Sequence, residues 1–156
     1  MERIWAPWRK SYVTRTKPRG CIFCSALKAK GTGKKRYVLK RNRHAFSMLN
    51  LYPYNNAHVM VAPARHVKSL EFLSEEELSA LMALVNHTKK KIDRLLKPAG
   101  YNIGLNVGRV AGAGFPGHVH MHIVPRWQGD SNFMPAICDA KVISHSLDEM
   151  WESLKG

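Results

Sequence analysis

Gly117-His118-Val119-His120-Met121-His122-Ile123-Val124-Pro125 sets three histidines at every second position, with Val119, Met121 and Ile123 between them. A period of two is that of a β-strand. The pattern predicts a half-buried strand that sends all three imidazoles to one face and the apolar residues into a core. A helix would scatter them. Imidazole titrates near neutrality, ligates metals and can act as a nucleophile, so such a row can bind a metal, attack an electrophile or hold an anion.

The approach to this strand has its own pattern. Tyr101-Asn102-Ile103-Gly104-Leu105-Asn106-Val107 alternates as a strand and leads into residues 108–117, a loop with four glycines in ten positions. Such a loop lets backbone amides come close to a ligand and form anion-binding turns. A phosphate held there would meet amides and imidazoles together. Upstream, the sequence predicts strands over 36–40, 44–49 and 57–62, the last stopping at Pro63, in an order that fits an antiparallel meander. The turn-like Tyr52-Pro53-Tyr54-Asn55-Asn56 separates the second strand from the third.

One long helix is expected over 74–97. Ser74 with Glu77 forms a capping-box pattern, Leu78, Leu81, Met82, Val85, Ile92, Leu95 and Leu96 make an apolar stripe, and Pro98-Ala99-Gly100 ends it. A short strand near 141–143 and a terminal helix over 146–154 complete the set. These elements predict an α+β fold: an antiparallel sheet of about five strands, one main helix and a C-terminal helix. At 156 residues, with 45% apolar content, the chain suits a single domain spanning 1–156. Its flanks are an N-terminal aromatic and basic segment, 1–20, and a C-terminal extension, 128–156. Trp5, Trp8 and Tyr12 are expected to dock onto the domain or a second subunit.

No apolar run reaches the roughly 20 residues of a membrane span, and the N-terminus has no signal-peptide core, so a cytoplasmic protein is expected. Three cysteines are too few for a disulfide framework. Two of them, in Cys21-Ile22-Phe23-Cys24, could share a tetrahedral metal if two further ligands come from elsewhere; a redox pair or two unrelated thiols fit the same spacing. The formal charge is +14, and no acidic residue lies between Glu2 and Glu71, whereas sixteen Lys or Arg fall from Arg3 to Lys68. That surplus favours polyanionic partners, a polyphosphate nucleotide or nucleic acid, and also serves as a solubilising surface. Residues 28–35 read as a solvated basic loop without the spacing of a phosphate-binding P-loop.

His118-Val119-His120-Met121-His122-Ile123-Val124 resembles the signature of the histidine triad (HIT) superfamily. The resemblance extends to Asn50, to His58-Val59-Met60-Val61-Ala62-Pro63 with His66, to the helix that follows, and to Asn106. Trp5-Ala6-Pro7-Trp8-Arg9, Ala111-Gly112-Ala113-Gly114, Val124-Pro125-Arg126-Trp127 and Asn132-Phe133 resemble the diadenosine tetraphosphate phosphorylase-like branch. The resemblance implies that His120 is a catalytic nucleophile forming a covalent nucleotidyl intermediate, with His122 and His118 completing the catalytic set. It implies nucleotide contacts from Asn50, Asn106, Gly112, Gly114 and Gly117. It also implies a structural Zn²⁺ held by Cys21, Cys24, His66 and His118, and a homodimer. His44 and His58 are then read as structural, and Cys138 as a buried thiol.

Hydrolase members of the superfamily usually carry Gln four residues before the first triad histidine, where this chain has Gly114. The departure weakens the case for water as acceptor and leaves room for a larger one such as inorganic phosphate. The expected reaction is diadenosine tetraphosphate plus phosphate giving ATP plus ADP. A HIT hydrolase of dinucleoside polyphosphates or nucleoside phosphoramidates is the alternative, and a nucleotide-sensing or nucleic-acid-binding module is a further one.

Overall fold

The computed structural model describes residues 20–29, 36–130 and 142–155. The N-terminal aromatics, residues 30–35, Asn132, Phe133, Cys138 and Lys141, the first residue of the strand expected near 141–143, lie outside the described residues. Val142 and Ile143, the rest of that stretch, are not in a strand.

The described residues form one five-stranded antiparallel sheet in the order β1-β2-β3-β5-β4. Its strands are β1 (Val38–Arg41), β2 (Ala45–Leu49), β3 (Val59–Pro63), β4 (Gly100–Leu105) and β5 (Met121–Arg126). The first three make the expected meander, and β5 then inserts between β3 and β4. Among the described residues three α-helices accompany them: α1 (Ile22–Lys28), α2 (Glu75–Leu96) and α3 (Leu147–Leu154). No helix among the described residues is long and apolar enough to cross a membrane.

The sheet is covered on both faces, which is why β2 and β3 are buried at every position. In β2 the alternation sends Ala45 and Leu49 towards α2, where they join Leu81, Val85, Ile92 and Trp151. Phe46 and Met48 go the other way, towards Phe23 and Ala26 of α1. Two cores therefore flank one sheet.

Helix α2 begins as the sequence predicts, with the Ser74 hydroxyl accepting from Glu77 N–H and the Glu77 carboxylate accepting from Ser74 N–H. It ends on Lys97, a left-handed residue, ahead of Pro98. The apolar stripe needs correction. Leu81, Leu84, Val85, Thr88 and Ile92 are buried, whereas Leu78, Met82 and Leu95 are exposed. At about 100° per residue, Leu78 and Met82 fall roughly 60° and 100° away from Leu81, beyond the arc that the sheet covers, and Leu95 lies on the last turn. Helix α3 repeats the cap, with Ser146 and Glu149, and anchors itself through Trp151, whose indole N–H donates to Val38 O at 3.1 Å.

Helix α1 is absent from the sequence expectations. Its N-cap is Cys21, whose Sγ accepts from Cys24 N–H at 3.5 Å. At its other end Arg41 of β1 donates to the carbonyls of Ala26 and Leu27. Seven residues offer too little periodicity to read. What holds α1 is burial of Phe23 under the sheet, supplied by partners distant in sequence.

Candidate active site and metal centre

The histidine run differs from a half-buried strand in two respects. Only His122 belongs to the ladder of β5, where it pairs with Met60 and Gly104. Residues 118–120 precede the ladder, held by Val119 N–H donating to Val67 O at 2.8 Å. The imidazole side is also covered: His118 and His120 are 0% and 6% exposed, because the Phe23 ring lies 5.0 and 4.6 Å from theirs. Val119, Met121 and Ile123 enter the α2-side core as the alternation predicts.

Hydrogen bonds fix which nitrogen of each ring carries a proton. His120 Nδ1 lies 2.8 Å from His118 O, a carbonyl that can only accept, so Nδ1 is protonated and Nε2 keeps a lone pair. A buried His58 sets the neighbouring ring. Its Nδ1 accepts from Tyr54 N–H at 3.1 Å and lies 3.3 Å from Asn50 Nδ2, so its proton is on Nε2. That proton is donated to His122 Nδ1 at 2.9 Å, which leaves His122 with an N–H at Nε2. One ring thus presents a base and the next a donor, with centroids 4.9 Å apart. Burial lowers all of them: His120 falls below its ordinary value, His122 falls to about 4 with help from His120, and His58 to about 3 with help from His122 and His120. At neutral pH the rings are neutral, and the His120 lone pair is free to attack.

His118 plays a different part. Its Nε2 donates to Pro63 O at 2.9 Å, which turns an unprotonated Nδ1 towards Cys21 Sγ at 3.2 Å and Cys24 Sγ at 3.8 Å. His66 Nδ1 lies 3.4 Å from Cys24 Sγ. The ligand atoms of Cys21, Cys24, His66 and His118 all sit within 4.8 Å of one another. Two thiols and two imidazoles at this spacing suit a tetrahedral cation, and the Pro63 carbonyl at His118 Nε2 supplies the outer-sphere acceptor that metal-bound histidines use. Burial pushes the Cys21 thiol up; a bound cation would reverse that. The four residues come from α1, the turn after β3, and the segment leading into β5.

The residues expected to contact nucleotide lie in the 50–58 turn and in or just before the glycine loop. The Asn50 Oδ1 accepts from Tyr52 N–H at 3.0 Å, so part of its side chain shapes the 50–58 turn. Asn106 Nδ2 donates to Gly112 O at 3.3 Å, pinning the glycine loop. Gly112 has φ +86°, a conformation that side chains disfavour. A Cβ at Gly114 or Gly117 would meet nothing within 4 Å, so the space beside them is open. Phe115 of the same loop stands edge-on to Phe23, 6.2 Å between centroids. His44 lies outside this constellation. His58 lies within it, and Tyr54 stacks beside it, 5.9 Å from the His122 ring. A histidine eight residues after Asn50, at the mouth of a strand, was the available signal for His58.

Residues 32–129 match the HIT domain model, and the chain belongs to that family. It is 36% identical over 154 residues, 94% of this chain and 79% of the other, to "AP-4-A phosphorylase" of Mycobacterium tuberculosis. A hypothetical histidine triad nucleotide-binding protein of Sulfolobus tokodaii shares the fold, with TM-score 0.68 and 24% identity over 86% of this chain and 89% of that one. A Zn-bound histidine triad family protein of Mycobacterium smegmatis shares it too, with TM-score 0.66 and 22% identity over 86% and 90%.

Proposed function

We propose that the protein is a nucleotidyltransferase that cleaves diadenosine tetraphosphate with inorganic phosphate to ATP plus ADP. The observation that carries this is the His120 ring, tied by Nδ1 to the main chain and left with a lone pair at Nε2 beside the donor Nε2–H of His122. In the first step His120 Nε2 attacks the α-phosphorus; an N–P bond forms, the bond from that phosphorus to the bridging oxygen breaks, and ATP leaves. In the second, an oxygen of inorganic phosphate attacks the same phosphorus, the N–P bond breaks, and ADP leaves. His122 donates to a non-bridging oxygen throughout, a fixed dipole where charge builds. Asn50 and Asn106 would face the ribose and the phosphates, with the backbone of Gly112, Gly114 and Gly117. The 36% identity to a protein named a phosphorylase supports phosphate as acceptor, as does the absence of a side chain at Gly114.

Cys21, Cys24, His66 and His118 would hold a Zn²⁺ with no open coordination position, and when bound it would supply a cross-link rather than an activated water. His118 would then fix α1 and its Phe23 against the segment that carries His120. The reading includes a homodimer: among the described residues β4 pairs with β5 alone, and Ile103 on that edge is exposed.

Product analysis tests the reading. Purified protein given diadenosine tetraphosphate should form ATP plus ADP only when phosphate is added, and His120→Ala should form neither. ATP plus AMP without phosphate would make the protein a hydrolase. No turnover, with nucleotide still bound, would leave a sensing module.

A further inference from the structure

On the far side of the sheet from the triad, a recess of about 10 Å³ opens between β1, β2, α2 and α3, lined by Leu39, Lys40, Ser47, His87, Thr88, Lys91 and Leu154. One lining residue carries an unusual atom. Ser47 Oγ belongs to a residue 1% exposed and has no hydrogen-bond partner among the described residues. Buried hydroxyls are almost always paired, so an orphan on a residue that lines an opening points to a ligand atom beside it.

The rim is cationic, and the fold makes it so. Lys40 is the register partner of Ser47 across β1 and β2, so both side chains leave the same face of the sheet. On α2, His87, Lys90, Lys91 and Arg94 follow the i, i+3, i+4, i+7 spacing of one helix face, beside the buried arc. Burial lowers the His87 imidazole, and Lys40, Lys91, Arg94 and Lys90 add to that. Lys91 itself is pushed down by burial and by Lys40 and Arg94. Lys91 Nζ donates to Lys155 O at 2.8 Å, and Glu152 pairs with Lys155. The cluster therefore gathers positive charge around a small polar opening.

We propose that this recess is a second anion site, which seats one phosphate group with an oxygen reaching Ser47 Oγ and the remaining oxygens facing Lys40, His87 and Lys91. The volume admits a single oxygen-sized atom, so the rest of the phosphate sits at the mouth among the cations. Free inorganic phosphate and the terminal phosphate of a longer chain present the same group. The site does not depend on the triad chemistry proposed above.

The test is a titration of ¹⁵N-labelled full-length protein at constant ionic strength with inorganic phosphate, tripolyphosphate or AMP, using chloride as control. Phosphate should shift the amides of Lys40, Ser47 and His87 with a saturation curve separate from that of residues 106–114, and should raise the melting temperature. Ser47→Ala and Lys40→Met should each weaken the first curve about threefold to tenfold, leave the second curve unchanged, and keep the circular dichroism of the parent. Tripolyphosphate binding more than tenfold tighter would assign the site to a chain of phosphates, and equal affinity would assign it to a single phosphate. Shifts reproduced by chloride, or no shift near Ser47 up to tens of millimolar phosphate, would overturn the proposal and leave a recess filled by water. Ser47→Ala binding phosphate as tightly as the parent would overturn it as well.

Discussion

Replacing His58 with Phe removes one titrating ring from the core while keeping its shape, and its effect should change with pH. At pH 7.5 the cost is polar. Tyr54 N–H and Asn50 Nδ2 lose their acceptor, and His122 Nδ1 loses its donor. Buried groups left unpaired cost about 1–3 kcal/mol each; the turn at 52–56 is partly solvated, so a total of about 2–3 kcal/mol is expected. Below pH 6.5 a second effect opposes the first. His58 falls from 6.5 in the unfolded chain to about 3 in the folded one, so the unfolded parent takes up a proton that the folded parent refuses. Its contribution is whole above pH 6.5 and is lost as pH falls towards 3, at about 1.4 kcal/mol per pH unit. At pH 5 the parent has lost about 2 kcal/mol that the Phe variant never had to lose. The gap between the two proteins should therefore shrink from pH 6.5 downwards and close near pH 5. Urea unfolding followed by tryptophan fluorescence, at matched metal content and ionic strength, measures it, and the histidines that do not touch His58 cancel in the difference. A gap that stays constant from pH 7.5 to 5 would refute the neutral, buried His58 and the tautomer assignment of His122 with it.

Three further outcomes are expected. Cys24→Ser should lower bound zinc well below one per chain by plasma mass spectrometry, and a chelator should lower the melting temperature of the parent but not of the variant. Glu77, held down to about 2 by Arg65 and by the Ser74 amide, contributes stability that is present above pH 4.5 and lost as pH falls towards 2. Glu77→Gln should thus be less stable than the parent at pH 7, with the two converging in acid urea titrations. Asn55→Ala strips a buried amide that donates to Pro125 O at 3.0 Å and Asp130 Oδ2 at 2.7 Å. Chemical denaturation should show a loss of about 1–3 kcal/mol, with amide exchange accelerated over 52–56 and 126–130.

The parts of the fold that were legible are those written in local code. The Ser74 and Glu77 box, the stop at Pro98, and the alternation through Val119, Met121 and Ile123 each act within a few residues, and the structure matches them. Helix α1 was not legible, because seven residues around Cys21 and Cys24 form a helix only when Phe23 is buried against Phe46 and Met60, far along the chain. Leu78 and Met82 misled for the opposite reason: their spacing fits a stripe, but the width of the covered arc is set by the sheet. The metal cluster could be assembled only through the family resemblance, since nothing in the spacing of Cys21, Cys24, His66 and His118 brings them together. His58 stayed hidden among structural histidines because its role depends on which nitrogen faces His122.

The carbonyl oxygen of His118, and not its imidazole, holds His120. The segment therefore carries two separable instructions at one residue, one in the side chain and one in the main chain. An alanine scan would not treat the three histidines as equivalent. At position 118 the acceptor for His120 survives truncation, so the loss would show as a less stable, metal-poor protein whose folded fraction still turns over. At position 120 the fold would persist without the proposed nucleophile. At position 122 the nucleophile would persist without its donor, and His58 would be left pointing a proton at nothing.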